Sequence, residues 1–191
     1  MIKIGILGDI GSGKSFVSKQ FGFPVFSADE EVKKIYREDR ECFRKLRKKL
    51  PKFINFFPIN KTNLIRAVLA NPKNLGLINQ IVHPKVKKRL HKFFLKNIKS
   101  KVVILDVPLL LENKINIKNY ILIFIDAKKT DINKNLIKRK NFNLKLIRKL
   151  RKIQLPLKTK KKVSNYIIKN NFSSEQIRKK VKIIRKEILS L

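Results

Sequence analysis

Five of the six glycines in this chain fall before residue 23: Gly5, Gly8, Gly11, Gly13 and Gly22. Crowding of this kind marks a place where the backbone must take positive φ or approach something closely. The flanking residues say what. Residues 3–7 form an apolar, β-branched run suited to a buried strand, and residues 14–21 read as a helix. Between them, residues 8–15 spell Gly-Asp-Ile-Gly-Ser-Gly-Lys-Ser, which fits G-x-x-x-x-G-K-[ST] through Gly8, Gly13, Lys14 and Ser15. A chance match in a chain this long is on the order of one in a hundred at average residue frequencies. A glycine loop between strand and helix turns backbone N–H groups inward around an anion, and the helix N-terminus adds favourable partial charge. In such a cradle Lys14 reaches the β- and γ-phosphates, and the Ser15 hydroxyl coordinates Mg²⁺.

Further along, strands and helices alternate. Residues 24–27 form a second short strand, with Asp29 at its end and a helix continuing to about Arg37. From about 39 to 98 the pattern is helical and basic, and Pro51, Pro58, Pro72 and Pro84 are expected to cut it into short helices. Residues 102–106 and 120–126 are buried-strand candidates, 129–140 and 144–153 read as helices, and 155–163 as a basic connector around Pro156. A fifth strand over 165–169 precedes a closing helix over 173–189, capped by Ser173 or Ser174. This alternation predicts an α/β fold with a mostly parallel sheet flanked by helices, a phosphate-loop nucleoside-triphosphate-binding architecture. Residues 32–98 and 139–163 interrupt the alternation and read as insertions over the sheet.

Composition excludes several classes. With 191 residues, 43% hydrophobic and 32% charged, the chain is too apolar for a disordered basic tail and too charged for a membrane protein. No stretch approaches the roughly 18 apolar residues of a spanning helix. A single cysteine, Cys42, excludes an intramolecular disulfide, and with only His83 and His91 beside it a structural zinc site is not expected. Together these lead to the expectation of a cytoplasmic protein. The net charge of +35 attracts polyanions. The lysines are spread along the whole chain, however, and there is no Trp and only three scattered Tyr to stack bases. Nucleic acid is therefore not expected as the main partner, whereas a phosphate-bearing ligand is.

Two carboxylates stand where strands end. Asp106 closes Val-Val-Ile-Leu-Asp at the edge where open α/β sheets bind ligands, and there it serves either to hold Mg²⁺ through water or to cap the turn before Pro108. Asp29 follows the second strand and reads equally as acceptor of a proton from an attacking hydroxyl or as a helix N-cap.

Several separated motifs resemble one family, dephospho-CoA kinase. The loop at 8–15 is close to its G-G-I-G-S-G-K-S, and Pro-Val-Phe-Ser-Ala-Asp at 24–29 is similar to its P-V-I-D-A-D. Leu-Ile-Asn-Gln-Ile-Val-His-Pro at 77–84 resembles L-N-x-I-x-H-P, and Leu-Asp-Val-Pro-Leu-Leu-Leu-Glu at 105–112 resembles L-D-I-P-L-L-F-E. Gln-Leu-Pro-Leu at 154–157 and Asn-Tyr-Ile-Ile-Lys-Asn at 165–170 resemble Q-x-P and A-D-Y-V-I-D-N. The motifs run in the family's order over nearly the whole chain.

The resemblance implies transfer of the ATP γ-phosphoryl to the ribose 3′-hydroxyl of dephospho-CoA, giving CoA and ADP, with Mg²⁺ as cofactor, in a monomer or weak oligomer. It implies a core (1–31, 99–138 and 164–191), a helical CoA-binding insertion (about 32–98) and a lid (about 139–163). It makes Asp29, Lys14 and Arg139 catalytic: base or orienting group, phosphate clamp and lid arginine. It gives ATP to Gly8, Gly11, Ser12, Gly13, Lys14, Ser15 and Phe16, and Mg²⁺ to Ser15 and Asp106. Asp29, His83, Pro108 and Lys160 fall on the acceptor side or the lid; His83 is alternatively a buried histidine fixing the turn before Pro84.

Departures from the family pattern are local. Asp9 replaces the loop's second glycine and sets a carboxylate beside the phosphate site, which weakens ATP binding unless it points away. Phe16 stands where threonine is usual, Ser27 replaces the first aspartate of D-A-D, Asn135 sits where an arginine is common, and Asn165 and Lys169 replace aspartates. Lysines 138, 140, 158, 160, 161 and 162, with Arg139, either focus a field on the substrates' phosphates or are solvated surface. Two alternatives stand beside the main reading: a phosphate-loop kinase for another nucleoside or nucleotide acceptor, and a basic nucleic-acid-binding protein that keeps a nucleotide site.

Overall fold

A computed structural model describes residues 1–108, 110–111, 118–138 and 142–191. Its elements, in chain order, are β1 (Ile2–Gly8), α1 (Lys14–Gln20), β2 (Val25–Ser27), α2 (Ala28–Glu38), α3 (Arg40–Lys49), α4 (Lys61–Ala70), α5 (Lys73–Lys96), β3 (Val102–Asp106), β4 (Tyr120–Ala127), α6 (Lys129–Ile137), α7 (Leu144–Lys152), α8 (Leu157–Lys162), β5 (Tyr166–Asn170) and α9 (Ser174–Leu189). The chain divides into two compact units, Met1–Ser27 with Asn97–Leu191, and Ala28–Lys96.

The first unit is built on a five-stranded sheet of order β2-β3-β1-β4-β5, with every pairing parallel. Near-continuous apolar runs make it so: β3 is buried at all five positions, as a parallel strand covered on both faces must be. On one face Ile4, Ile6, Ile104, Ile123 and Ile125 pack with Val17 of α1 and Phe21 just after it, and with Ile177, Val181, Ile184 and Ile188 of α9. A smaller cluster joins Ile132 and Leu136 of α6 to Ile147 of α7, with Ile10, Ala127 and Phe172 against it. The register pairs Ser27 with Asp106 and Gly8 with Ile125, so Ser27, Asp106 and Gly8 share the carboxyl edge of the sheet.

The second unit is helical. Asp39 caps α3 by accepting from the Cys42 amide (2.7 Å), and Asn60 caps α4 by accepting from Thr62 (2.8 Å). Helix α5 packs against α2, α3 and α4. Lys85 of α5 bonds Asp39 and Glu41, both at 2.8 Å, and Arg89 bonds Glu31 at 3.0 Å. Cys42 is fully buried, and burial pushes its thiol up to about 11, so it is chemically quiet.

Two expectations about proline are corrected. Pro84 does not end a helix: α5 runs 24 residues through it. Proline removes one i→i−4 bond, but Ile78, Val82 and Leu90 keep their buried positions on both sides, and that burial outweighs the loss. Residues 155–163 are not a connector: Pro156 stands at the N-cap of α8. A helix start leaves its N–H groups unpaired anyway, so proline costs little there.

Candidate functional site

The loop leaving β1 is held in shape from several sides. Gly11 (φ 85°) and Gly13 (φ 90°) adopt left-handed conformations. A Cβ on Gly13 would collide with the Asn170 side-chain amide, and one on Gly11 would sit 2.8 Å from the Leu136 side chain. That amide is in use: Asn170 Nδ2 donates to the Ser12 carbonyl (2.8 Å) while its Oδ1 accepts from the Phe172 amide (2.7 Å). Gly13→Ala is therefore expected to destabilise the protein by about 1–3 kcal/mol, the scale of local backbone strain, and to weaken nucleotide binding as the Asn170 brace is displaced. Denaturant unfolding checks it; unchanged stability would mean that residue 13 does not take positive φ.

Lys14 opens α1 and is buried, its ammonium donating to the carbonyls of Gly8 (3.2 Å) and Asp9 (2.7 Å). Ser15 is exposed, and its hydroxyl donates to Asp106 Oδ2 at 2.5 Å. Asp106 is itself buried at the end of β3. This hydroxyl–carboxylate pair is a set of hard oxygen donors, the chemistry that suits Mg²⁺ completed by phosphate oxygens and water. Ser12 Oγ is buried and has no hydrogen-bond partner among the described residues.

Beside the loop lies a cavity of about 230 Å³ lined by Gly13, Phe16, Asn135, Asn170, Phe172 and Ser174. Phe16 is 41% exposed, and Phe172 holds a left-handed φ of 64°. Two aromatic rings and two carboxamides around one opening suit a flat, hydrogen-bonding ring system. Sequence reasoning had Phe16 here but not Phe172 as a site residue. Asn170 was visible only as the end of a motif, and Asn135 only as a departure.

Asp9 does not face open solvent. Its side chain is bound at two points by Arg151 of α7, through Nε (3.1 Å) and Nη2 (2.8 Å). No sequence signal coupled these residues, which are 142 positions apart. Lys160 is 1% exposed, inside α8, and not on an open surface. Lys161 donates to Asp126 at 2.8 Å. Pro108 lies in the turn after β3, closed by the Leu110 amide on the Val107 carbonyl (3.1 Å). Arg139, Lys140 and Glu112 lie outside the described residues.

Asp29 and His83 belong to the second unit. Asp29 lies in the first turn of α2, which begins at Ala28, so it is not the N-cap; its side chain is exposed. His83 is exposed on α5 and not at a turn, and partial burial of the imidazole holds its pKa below the ordinary value. Among the described residues no three metal-binding side chains cluster, and no helix is long and apolar enough to cross a membrane.

Comparison with known proteins agrees with this geometry. The family model for dephospho-CoA kinase matches residues 2–176. The chain is 35% identical over 186 residues to a dephospho-CoA kinase from Wolbachia sp. subsp. Brugia malayi, covering 95% of each chain. It is 35% identical to that of Fusobacterium nucleatum subsp. nucleatum over 188 residues, covering 93% of this chain and 94% of the relative. A solved Thermus thermophilus structure superposes with a TM-score of 0.77 at 26% identity, over 97% of both chains.

Proposed function

The chain belongs to the dephospho-CoA kinase family, and from that premise we propose that it transfers the γ-phosphoryl of ATP to the ribose 3′-hydroxyl of dephospho-CoA, giving CoA and ADP. The observation that carries this reading is the loop at 8–15, with buried Lys14 inside it and the Ser15–Asp106 pair at its exit. Phosphoryl transfer needs positioning and charge neutralisation more than covalent help, and this loop supplies both. Its amides and Lys14 receive the triphosphate. Ser15 and Asp106 would hold Mg²⁺, which when bound neutralises charge on the β- and γ-oxygens. Phe16 and Phe172 receive the adenine ring between them.

Asp29 orients the acceptor hydroxyl and takes its proton. Family resemblance assigns Arg139 to the transferring phosphoryl, His83 and Pro108 to the acceptor side and Lys160 to the lid. It also assigns residues 32–98 to CoA binding and 139–163 to the lid. Burial of Lys160 supports a structural part for it within that lid. We read it as cytoplasmic, from its single cysteine and composition, and as a monomer or weak oligomer.

The test is an acceptor panel. Incubated with ATP, Mg²⁺ and each acceptor in turn, the protein is expected to phosphorylate dephospho-CoA efficiently and nucleosides or nucleoside monophosphates weakly, with CoA detected by mass. Equal turnover of another acceptor would overturn the acceptor assignment. The nucleic-acid reading is not favoured: the charge of +35 is dispersed, and the built features of the site are those of a nucleotide pocket.

A further inference from the structure

Asp9 is the one residue of the loop whose charge opposes the loop's purpose. It is 6% exposed and follows Gly8, where the backbone begins to wrap an anion. A buried carboxylate there is costly unless paired, and unpaired it repels every phosphate that approaches. The structure pairs it completely. Oδ1 accepts from the Ile10 amide (2.7 Å) and from Arg151 Nε (3.1 Å), and Oδ2 accepts from Arg151 Nη2 (2.8 Å). This is the two-point fork that a planar guanidinium makes and an ammonium does not. Meanwhile the Asp9 carbonyl accepts from Lys14 Nζ. One residue thus touches two cations, Arg151 through its carboxylate and Lys14 through its backbone. Without Arg151, the carboxylate is left buried and charged beside the loop that receives the phosphates.

We propose that Arg151 is a positioning residue for nucleotide binding. Its bond to Asp9 neutralises the carboxylate and turns it towards α7, leaving Lys14 and the loop amides for the triphosphate. Affinity for ATP then depends on the last turn of α7 being docked on the loop. This rests on the reading of residues 8–15 as the ATP site.

The experiment measures ATP–Mg²⁺ binding by calorimetry, and KM for both substrates, in wild type, Arg151→Ala and the double variant Arg151→Ala with Asp9→Asn. Arg151→Ala is expected to weaken ATP binding at least tenfold and to leave KM for dephospho-CoA within about threefold. Removing the charge in the double variant is expected to restore ATP affinity to within about threefold of wild type. A mere packing role would lower thermal stability in both variants without this rescue. Should Arg151→Ala not fold, Arg151→Gln and Arg151→Lys make the same comparison at a side chain that is 34% exposed: Gln behaves as Ala, and Lys keeps most of the affinity. Unchanged ATP affinity on losing Arg151 overturns the proposal. So does a loss that the double variant fails to restore: with lowered thermal stability it would mean that Arg151 acts by packing, and without it that Arg151 contacts the nucleotide directly. Absence of ATP binding in wild type overturns the nucleotide reading itself, and this proposal with it.

Discussion

Lys14→Ala is expected to lower kcat by about 10²–10³, roughly 2.7–4 kcal/mol of transition-state stabilisation, the scale of one lost preorganised donor. The physical basis is position. Lys14 is 9% exposed, and its ammonium sits among the loop carbonyls of Gly8 and Asp9. A cation held in a partly dry loop interacts with developing negative charge more strongly than one in bulk water. The fall should appear at saturating ATP and dephospho-CoA, because charge builds on the γ-oxygens during transfer. A smaller loss of stability accompanies it, about 1 kcal/mol for each carbonyl left without its donor. Arginine should not rescue, since its wider fork does not fit a buried lysine's place. Turnover within threefold of wild type would remove Lys14 from the reaction.

Asp29→Asn is expected to lower kcat by about 10²–10⁴, the range of a positioned general base, with KM for ATP changed less than twofold. Three acidic side chains begin α2, and two are engaged: Glu30 pairs with Lys33, and Glu31 with Lys34 and Arg89. Those bonds hold the Glu31 carboxyl below its ordinary pKa despite partial burial. Asp29 has no hydrogen-bond or ion-pair partner among the described residues, and its exposed carboxylate is available to a substrate hydroxyl. Asparagine keeps the shape and can orient the hydroxyl, but it cannot take the proton. Thermal stability should hardly change, because a first-turn charge contributes about 0.3–1 kcal/mol through the helix dipole. Near-normal turnover would exclude Asp29 as the base.

Strands β1, β3 and β4 were legible because each carries a short apolar run buried on both faces, and such a run has little else it can do in water. Boundaries moved by one or two residues: 3–7 became Ile2–Gly8, and 165–169 became Tyr166–Asn170. Helix caps at Asn60 and Asn143 were not read ahead, while the closing helix's cap was narrowed to Ser173 or Ser174, of which Ser173 serves, because the pair directly precedes a long amphipathic segment. Proline misled twice for one reason. A missing N–H is a local penalty, and whether it breaks a helix depends on the burial around it and on its place in the helix, neither of which is local.

The phosphate loop was written in consecutive residues because its work is done by backbone, and backbone geometry is dictated by which neighbours lack a Cβ. Gly11, Gly13, Lys14 and Ser15 needed no distant partner to declare themselves. The partners that tune the loop are another matter. Asn170 braces Ser12 from 158 residues away and Arg151 neutralises Asp9 from 142 away, whereas Asp106, 91 residues from Ser15, was readable as its partner from its place at the end of a strand. A guanidinium or a carboxamide carries no mark in its own neighbourhood of what it will bond. Folding alone decides that, since strand order and helix packing choose which long-range pairs come within three ångströms.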